Sequence, residues 1–471
     1  MAAAKKLVVV GGGPGGYAAA FLAADLGLDV ALVDDRPNPG GVCLFRGCIP
    51  SKALLHVAEL IHETREAAAW GLDFGNPKLD VDRLRGWKDE VVEGLTGGLG
   101  QLARQRKVEF VRGRAQLLSG DSMQVTSHEG SGETWTFEHA VLATGSSPTR
   151  IPTFPEEPRV WDSTTALEMP FVPKRLLVVG GGYIGLELGT VYAALGSAVT
   201  VVEMLPRLLT GADPDLVRPL ARRLGERFES IRLDTKVVSV EPQKRALKVG
   251  LQPSGGELET LPFDAVLVAV GRRPNTRGIG LENTRIELDD QGFVRVDAQL
   301  RTAEPRIRAI GDLVGQPMLA HKASHEGRVA AESIAGHRVA FEPACIPAVV
   351  FTDPEIAWCG LTEDEANASG RKVDIARFPW GASGRAKTLG RSDGLTKLIV
   401  DPSTRRVLGV GLCGPGAGEM IAEGALAIEM AALVDDLKLT IHPHPTLSET
   451  IMEAAESFFG HATHIHRPRR G

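Results

Sequence analysis

Residues 6–34 read KLVVVGGGPGGYAAAFLAADLGLDVALVD. A short apolar run from Lys6 to Val10 leads into a glycine turn, then an alanine-rich stretch from Tyr17 to Leu26 without helix breakers. A second apolar run, Val30 to Val33, ends on the acid Asp34. Strand, tight turn, helix, strand and acid is the order of a dinucleotide-binding half of a doubly wound sheet. Gly11 permits the sharp turn, Gly13 lets the backbone approach a pyrophosphate, and Gly16 packs helix on strand. The helix N-terminus then faces the phosphates and Asp34 reaches a ribose hydroxyl. The glycine spacing alone is weak evidence; the strand before it and the acid after it give it weight.

The pattern returns further along. Leu176 to Val179 runs into GGGYIG, with Gly180, Gly182 and Gly185 in the same places, then a helical stretch to Leu195, the run Ala198 to Val202, and Glu203. Gly11 to Asp34 and Gly180 to Glu203 are both intervals of 23 residues. Two dinucleotide-binding units in one chain follow, one for each of two nucleotides. Each unit also has a late apolar run closing on a glycine, HAVLATGSSP with Gly145 and DAVLVAVGRRPN with Gly271. That closing glycine comes later in the first unit, so the first unit carries an insertion that the second lacks.

The insertion candidate is GGVCLFRGCIPSK, residues 40–52, with the helical stretch after it. Cys43 and Cys48 are close enough for a small disulfide ring, and Pro50 suits the first turn of a helix. A helix N-terminus favours thiolate over thiol, so the segment reads as a redox-active pair beside a cofactor. Structural zinc is the rival reading, and it lacks ligands, because the five cysteines include no second closely spaced pair. Two buried cysteines acting as small hydrophobes are the other alternative. Arg46, between the pair, either favours the thiolate by its charge or points to solvent or packs its stem.

At 471 residues the chain should divide into about three or four domains. Its 43% hydrophobic and 24% charged residues are those of a globular protein, which excludes disordered and fibrous classes. A formal net charge of −6 disfavours nucleic acid, and the one basic cluster, Arg467, Arg469 and Arg470, reads as a solvated end. The opening apolar run is too short for a signal peptide and no stretch has membrane-spanning length, so a cytoplasmic location is expected. A persistent disulfide in a reducing compartment is usually catalytic.

After Gly271 come AIGD, ending at Asp312, and LVGQPMLAHKASHEG, whose helix opens near Leu319. From about Cys345 the composition changes to short strands, such as Thr396 to Val400, a helix from about Gly418 to Leu433 and another from about Thr446. That α+β pattern has no glycine fingerprint and suits an interface.

Taken in order, the GGVCLFRGCIPSK block, the two glycine units, AIGD with MLAHKASHEG, and the C-terminal HPHPTLSE resemble the dihydrolipoamide dehydrogenases, within the flavoprotein disulfide reductases, over essentially the whole chain. The resemblance implies an α/β fold of two Rossmann-like domains plus a C-terminal α+β dimerisation domain. The expected division is 1–147 for FAD with the redox disulfide, 148–272 for NAD, 273–344 as a central domain completing the FAD site, and 345–471 for dimerisation. Carried over by position, FAD falls on Gly11, Gly13, Gly16, Asp34, Lys52, Gly145, Asp312 and Ala320. NAD falls on Gly180, Gly182, Gly185, Glu187, Glu203 and Gly271, with Glu187 matching the acid that pairs with Lys52. Tyr183 either covers the flavin where nicotinamide enters or packs its helix.

Cys43, Cys48, His444 and Glu449 are the implied catalytic residues, with no metal. His444 takes the proton of dihydrolipoamide, Glu449 orients it, Cys43 exchanges with substrate and Cys48 faces the flavin; His442 is non-catalytic. In the family this histidine reaches the partner subunit's disulfide, so a homodimer is expected. Lipoyl domains and the acyltransferase core of 2-oxo-acid dehydrogenase complexes are the other implied partners, because no lipoyl domain precedes the first strand.

The rivals are a glutathione- or mercuric-reductase-like enzyme and an NADH-binding flavoprotein acting as a scaffold. Glu203 argues against NADP because a carboxylate repels a 2′-phosphate, although Arg207 lies nearby. A mercuric reductase would need a C-terminal cysteine pair, and the last cysteine is Cys413. Cys345, Cys359 and Cys413 are expected to be buried and inert, and His461, His464 and His466 to belong to a frayed end rather than a metal site.

Overall fold

The computed structural model describes residues 3–466, so the arginines at 467, 469 and 470 lie outside the described residues. The first strand, Ala3–Val10, is the centre of the first sheet. It pairs in parallel with Val30–Asp34 on one side and Gly132–Leu142 on the other. Glu109–Leu117 extends the sheet in parallel beyond Val30–Asp34, and Ile307–Ala309 does so beyond Gly132–Leu142. Leu7, Val8 and Val9 are fully buried, as expected of a central parallel strand covered on both faces. Ile307–Ala309 comes from beyond the second unit, so residues after Gly271 complete the sheet that the first residues begin.

The second unit repeats the plan. Arg175–Val179 lies between Ala198–Val202 and Ala265–Val268, all parallel, with Ser230–Arg232 and Val160–Trp161 at the edges. The extra residues of the first unit stand between its second and third strands. They form the helices Gly41–Arg46, Cys48–Glu66 and Val81–Gln105, where the second unit has only Pro214–Arg227. The two late glycine loops are stitched together by an antiparallel pair, Ser146–Pro148 with Arg272–Pro274. That stitch holds the ends of the two nucleotide units side by side.

The C-terminal unit is an antiparallel five-stranded sheet, Ala348–Val350, Ile356–Gly360, Val407–Cys413, Leu395–Val400 and Asp374–Pro379 in spatial order. The helix read from Gly418 to Leu433 is in fact Ala417–Glu429, because Ala431 adopts a left-handed φ of 52° that turns the chain before Val434–Leu439. The helix read from Thr446 begins at Glu449.

A buried ionic cluster ties this unit to the second nucleotide unit. Lys397, 1% exposed, places Nζ 2.8 Å from Asp213 Oδ2, 3.0 Å from Asp215 Oδ1 and 2.6 Å from Glu363 Oε2. Arg377 Nε adds a contact of 2.7 Å to Asp215. These three carboxylates are spaced as metal ligands could be, but the lysine ammonium sits among them. Lys397→Met would leave three clustered acids short of a cation, a loss on the order of 3–5 kcal/mol. Urea unfolding should show it as a lower midpoint; a change under about 1 kcal/mol would mean the cluster is held together by other contacts.

Candidate active site

The two glycine turns have the same construction. Gly11 has φ 104° and Gly180 has φ 111°. A Cβ on either would lie 2.3 Å from Ala143 O or 2.4 Å from Ala269 O, and a Cβ on Gly16 or Gly185 would strike the Gly11 or Gly180 carbonyl. The acids repeat as well. Asp34 accepts the Gly12 N–H at 2.6 Å and the Arg36 N–H at 2.9 Å; Glu203 accepts the Gly181 N–H at 2.6 Å and the Leu205 N–H at 2.9 Å. Each carboxylate is thereby aimed along its turn, with lone pairs left for ribose hydroxyls. Arg207 is turned away onto Asp364 and the Thr210 carbonyl, so it offers nothing to a 2′-phosphate at Glu203.

A cavity of about 1050 Å³ runs from the first turn to the second unit. Gly11, Gly13, Asp34, Cys43, Cys48, Lys52, Gly145, Asp312 and Ala320 all line it. Its volume is at the top of the range for cofactor sites. Four helices begin at its wall, Pro14–Asp25, Cys48–Glu66, Tyr183–Ala194 and Ala320–Ile334, and no side chain caps any of them. Their unpaired N–H groups and positive dipole ends suit a diphosphate and an anionic sulfur. The residues present therefore fit FAD. Gly180, Gly182, Gly185, Glu203 and Gly271 do not line this cavity and belong to the second turn, while Tyr183, Ile184 and Glu187 of the second unit do line it.

Cys43 and Cys48 are both free thiols here. The Cys43 thiol hydrogen-bonds to Cys48 Sγ. This bond, helped by the Lys52 ammonium and opposed by burial, pulls Cys48 down to about 7. The same bond and burial push Cys43 far up. Of the two sulfurs Cys48 is therefore the more readily ionised. Arg46 also lines the cavity, but the charges around it are Arg36, Asp35, Asp34 and Asp162, and the charges acting on Cys48 are those of Lys52 and Glu187. The thiolate role considered for Arg46 is therefore not supported. Alkylation rates of the reduced pair against pH should give one thiolate centred near 7, moved upward by Lys52→Met and unmoved by Arg46→Val. A shift with Arg46→Val and none with Lys52→Met would reverse this reading.

Lys52 Nζ lies 2.7 Å from Glu187 Oε2, and Glu187 Oε1 accepts the Phe351 N–H at 3.0 Å. Glu187 is 3% exposed, so its carboxylate is consumed in bracing the lysine toward the cavity rather than open to the second turn. Tyr183 stands at the first position of its helix, 39% exposed and on the cavity wall, which removes the helix-packing alternative. Asp312 accepts the Ser146 hydroxyl, and Arg272 in turn donates to Ser146 Oγ and to its carbonyl, each at 2.7 Å. A buried pair, Lys322 and Glu326 at 2.8 Å, holds the Gly311 N–H through Glu326 Oε2 at 2.6 Å. The sequence reading missed this pair, although its i,i+4 spacing on one helix was visible; Ser146 and Arg272 are brought together by strand pairing and left no local signal.

His444 and Glu449 lie outside this cavity. His444 Nδ1 is 2.9 Å from Glu449 Oε1, and Glu449 Oε2 accepts the Thr446 N–H at 2.7 Å. Burial pushes the Glu449 carboxyl up, but the Thr446 N–H and His444 outweigh it and hold the group below its ordinary range. The His444 side chain is 73% exposed, leaving its Nε2 edge toward solvent. His442 is held at both nitrogens, by Thr440 O and Glu423 Oε1. His464 pairs with Glu453. Cys359 and Cys413 are buried, but Cys345 is half-buried, and its thiol meets that of Cys359. The expected burial therefore holds for Cys359 and Cys413 and not for Cys345.

A cysteine pair on the wall of one dinucleotide cleft, with a second dinucleotide turn behind it, defines a disulfide oxidoreductase that works with two nucleotides. Residues 5–327 match the family model for pyridine nucleotide-disulphide oxidoreductases, and residues 346–455 match that family's dimerisation domain. Dihydrolipoyl dehydrogenase of Vibrio cholerae serotype O1 is 48% identical over 98% of this chain and 97% of its own length, and that of Thermus scotoductus is 47% identical over 98% of both. Among solved structures, LpdA of Mycobacterium tuberculosis superposes with a TM-score of 0.89 at 28% identity over 96% of this chain and 99% of its own. The chain belongs to the dihydrolipoyl dehydrogenases of the pyridine nucleotide-disulphide oxidoreductase family. It is an FAD-dependent, NAD-linked oxidoreductase. Its dimerisation domain supports a homodimer, and no helix among the described residues is long and apolar enough to cross a membrane.

Proposed function

We propose that this protein oxidises dihydrolipoamide carried on lipoyl domains to lipoamide and passes the electron pair to NAD+, as a cytoplasmic component of 2-oxo-acid dehydrogenase complexes. The observation that carries the reading is the Cys43/Cys48 pair on the wall of a cavity that also reaches Tyr183, Ile184 and Glu187 of the second unit. Segments 1–147, 148–272, 273–344 and 345–471 serve FAD, NAD, completion of the FAD site and dimerisation in turn.

In the oxidised state the cysteines form a disulfide. The partner subunit's His444 takes a proton from the substrate thiol, oriented by a carboxylate that stays ionised at neutral pH. The resulting thiolate attacks Cys43 Sγ; the Cys43–Cys48 bond breaks and Cys48 leaves as thiolate, stabilised by its helix N-terminus and Lys52. The second substrate thiol then attacks the mixed disulfide, lipoamide departs, and Cys43 takes up a proton. FAD, held by the Gly11–Gly16 turn, Asp34 and Asp312, would supply the two-electron carrier that links the Cys48 thiolate to NAD+. Glu187 keeps Lys52 beside the sulfur throughout.

The dimer requirement rests on His444 lying outside the cavity of its own chain and on exposed apolar side chains of the C-terminal unit. Leu426, Met430, Leu439 and Ile441 are 63–94% exposed in the single chain, and burial against a second copy would remove them from water. Steady-state turnover separates the readings. Dihydrolipoamide with NAD+ should be used efficiently and glutathione disulfide with NADPH poorly; the opposite preference would replace the proposal with a glutathione-reductase-like one.

A further inference from the structure

Cys345 and Cys359 are 14 residues apart, and the fold brings them together. Strand Ala348–Val350 pairs antiparallel with Ile356–Gly360, with Ala348 opposite Trp358, so the chain doubles back and runs the residues just before Ala348 along the end of the strand that carries Cys359. Ala357 and Cys359 alternate with Trp358 and point into the core beneath helix Ala417–Glu429. Cys345 packs on the same core, its thiol 3.8 Å from Ala425 O. The two thiols share a hydrogen bond, and neither is in a disulfide.

Their surroundings differ as those of the first pair do. Cys359 is 1% exposed, and burial together with its bond to Cys345 holds it as a thiol. Cys345 receives that bond, which favours its thiolate, and it lines a cavity of about 430 Å³ with Arg371 and Arg406 on the wall. A small oxidant can reach Cys345 through this cavity, while Cys359 waits behind it.

We propose that Cys345 and Cys359 are a second oxidisable dithiol, in which Cys345 reacts with hydroperoxide and Cys359 resolves it to a disulfide. Cys345 thiolate attacks the peroxide; the O–O bond breaks, an S–O bond forms, and water or an alcohol leaves with the proton. The Cys359 sulfur then displaces water from the sulfenic acid. Two thiols have lost two electrons and two protons, and one peroxide has been reduced. The disulfide would fasten the segment entering the C-terminal unit to its second strand, away from the cavity that holds Cys43 and Cys48.

The FAD-loaded protein is treated with hydrogen peroxide, its remaining thiols are alkylated, and the chain is cut between the two cysteines at Asp353 or Glu355. The expected result is that the fragments bearing Cys345 and Cys359 stay linked until reduced, with loss of both alkylatable thiols. Cys345→Ser should abolish the link and leave turnover with dihydrolipoamide within about twofold of the parent, a difference of about 0.4 kcal/mol. Recovery of Cys345 as sulfinic acid with Cys359 still alkylatable, or of both as free thiols, would overturn the proposal.

Discussion

Cys48→Ser is expected to abolish dihydrolipoamide oxidation, with a loss of at least about ten-thousandfold, the scale seen when a covalent nucleophile is removed. Serine cannot form the disulfide, and its alkoxide cannot replace a thiolate that the Cys43 hydrogen bond and Lys52 hold near 7. FAD should remain bound, because the uncapped helix starts at Pro14, Cys48 and Ala320 are backbone features that the substitution does not touch. Flavin absorbance per chain and electron transfer from NADH to an artificial acceptor separate the two effects. Retained flavin and retained acceptor reduction with no lipoamide turnover is the expected pattern; substantial lipoamide turnover would falsify the role given to this sulfur.

His444→Gln should lower turnover by about 10²–10⁴-fold, the range for removal of a positioned general base. Glutamine can still accept a hydrogen bond but cannot hold the substrate proton. Flavin content and dimer mass should not change, since the side chain is 73% exposed and bonded only to Glu449 among the described residues. A rate unchanged at neutral pH would remove His444 from the mechanism. Mixing Cys48→Ser with His444→Gln subunits adds a sharper check, because a heterodimer would contain one intact site if the histidine serves the partner's cysteines, and none if it serves its own.

Much of this architecture was legible locally. Each turn's first glycine lies 23 residues before its acid with a strand on either side, and they fold as read because each is a short-range device of strand, turn and helix start. Pro50 and Cys48 similarly announced a helix beginning at the redox pair. Two other points were not set by local sequence. Arg46 sits between the cysteines in sequence, but its turn of helix Gly41–Arg46 carries it toward Asp34 and Asp162 and leaves Cys48 to Lys52, one helical turn away on the next helix. The end of helix Ala417–Glu429 was missed because a left-handed alanine stops it, where no glycine or proline marks the place.

What the sequence determined by itself was the pair of nucleotide turns, the close spacing of Cys43 and Cys48, and the family to which their order belongs. These rest on backbone geometry and bonding that neighbouring residues set. Only the tertiary structure decided which charges meet. Glu187 reaches Lys52 across 135 positions, Ser146 reaches Asp312 across 166, Lys397 collects carboxylates from two units, and Cys345 finds Cys359 through a strand reversal. Electrostatics and thiol chemistry depend on distance in space and on burial, and the chain acquires both only when its sheets pack.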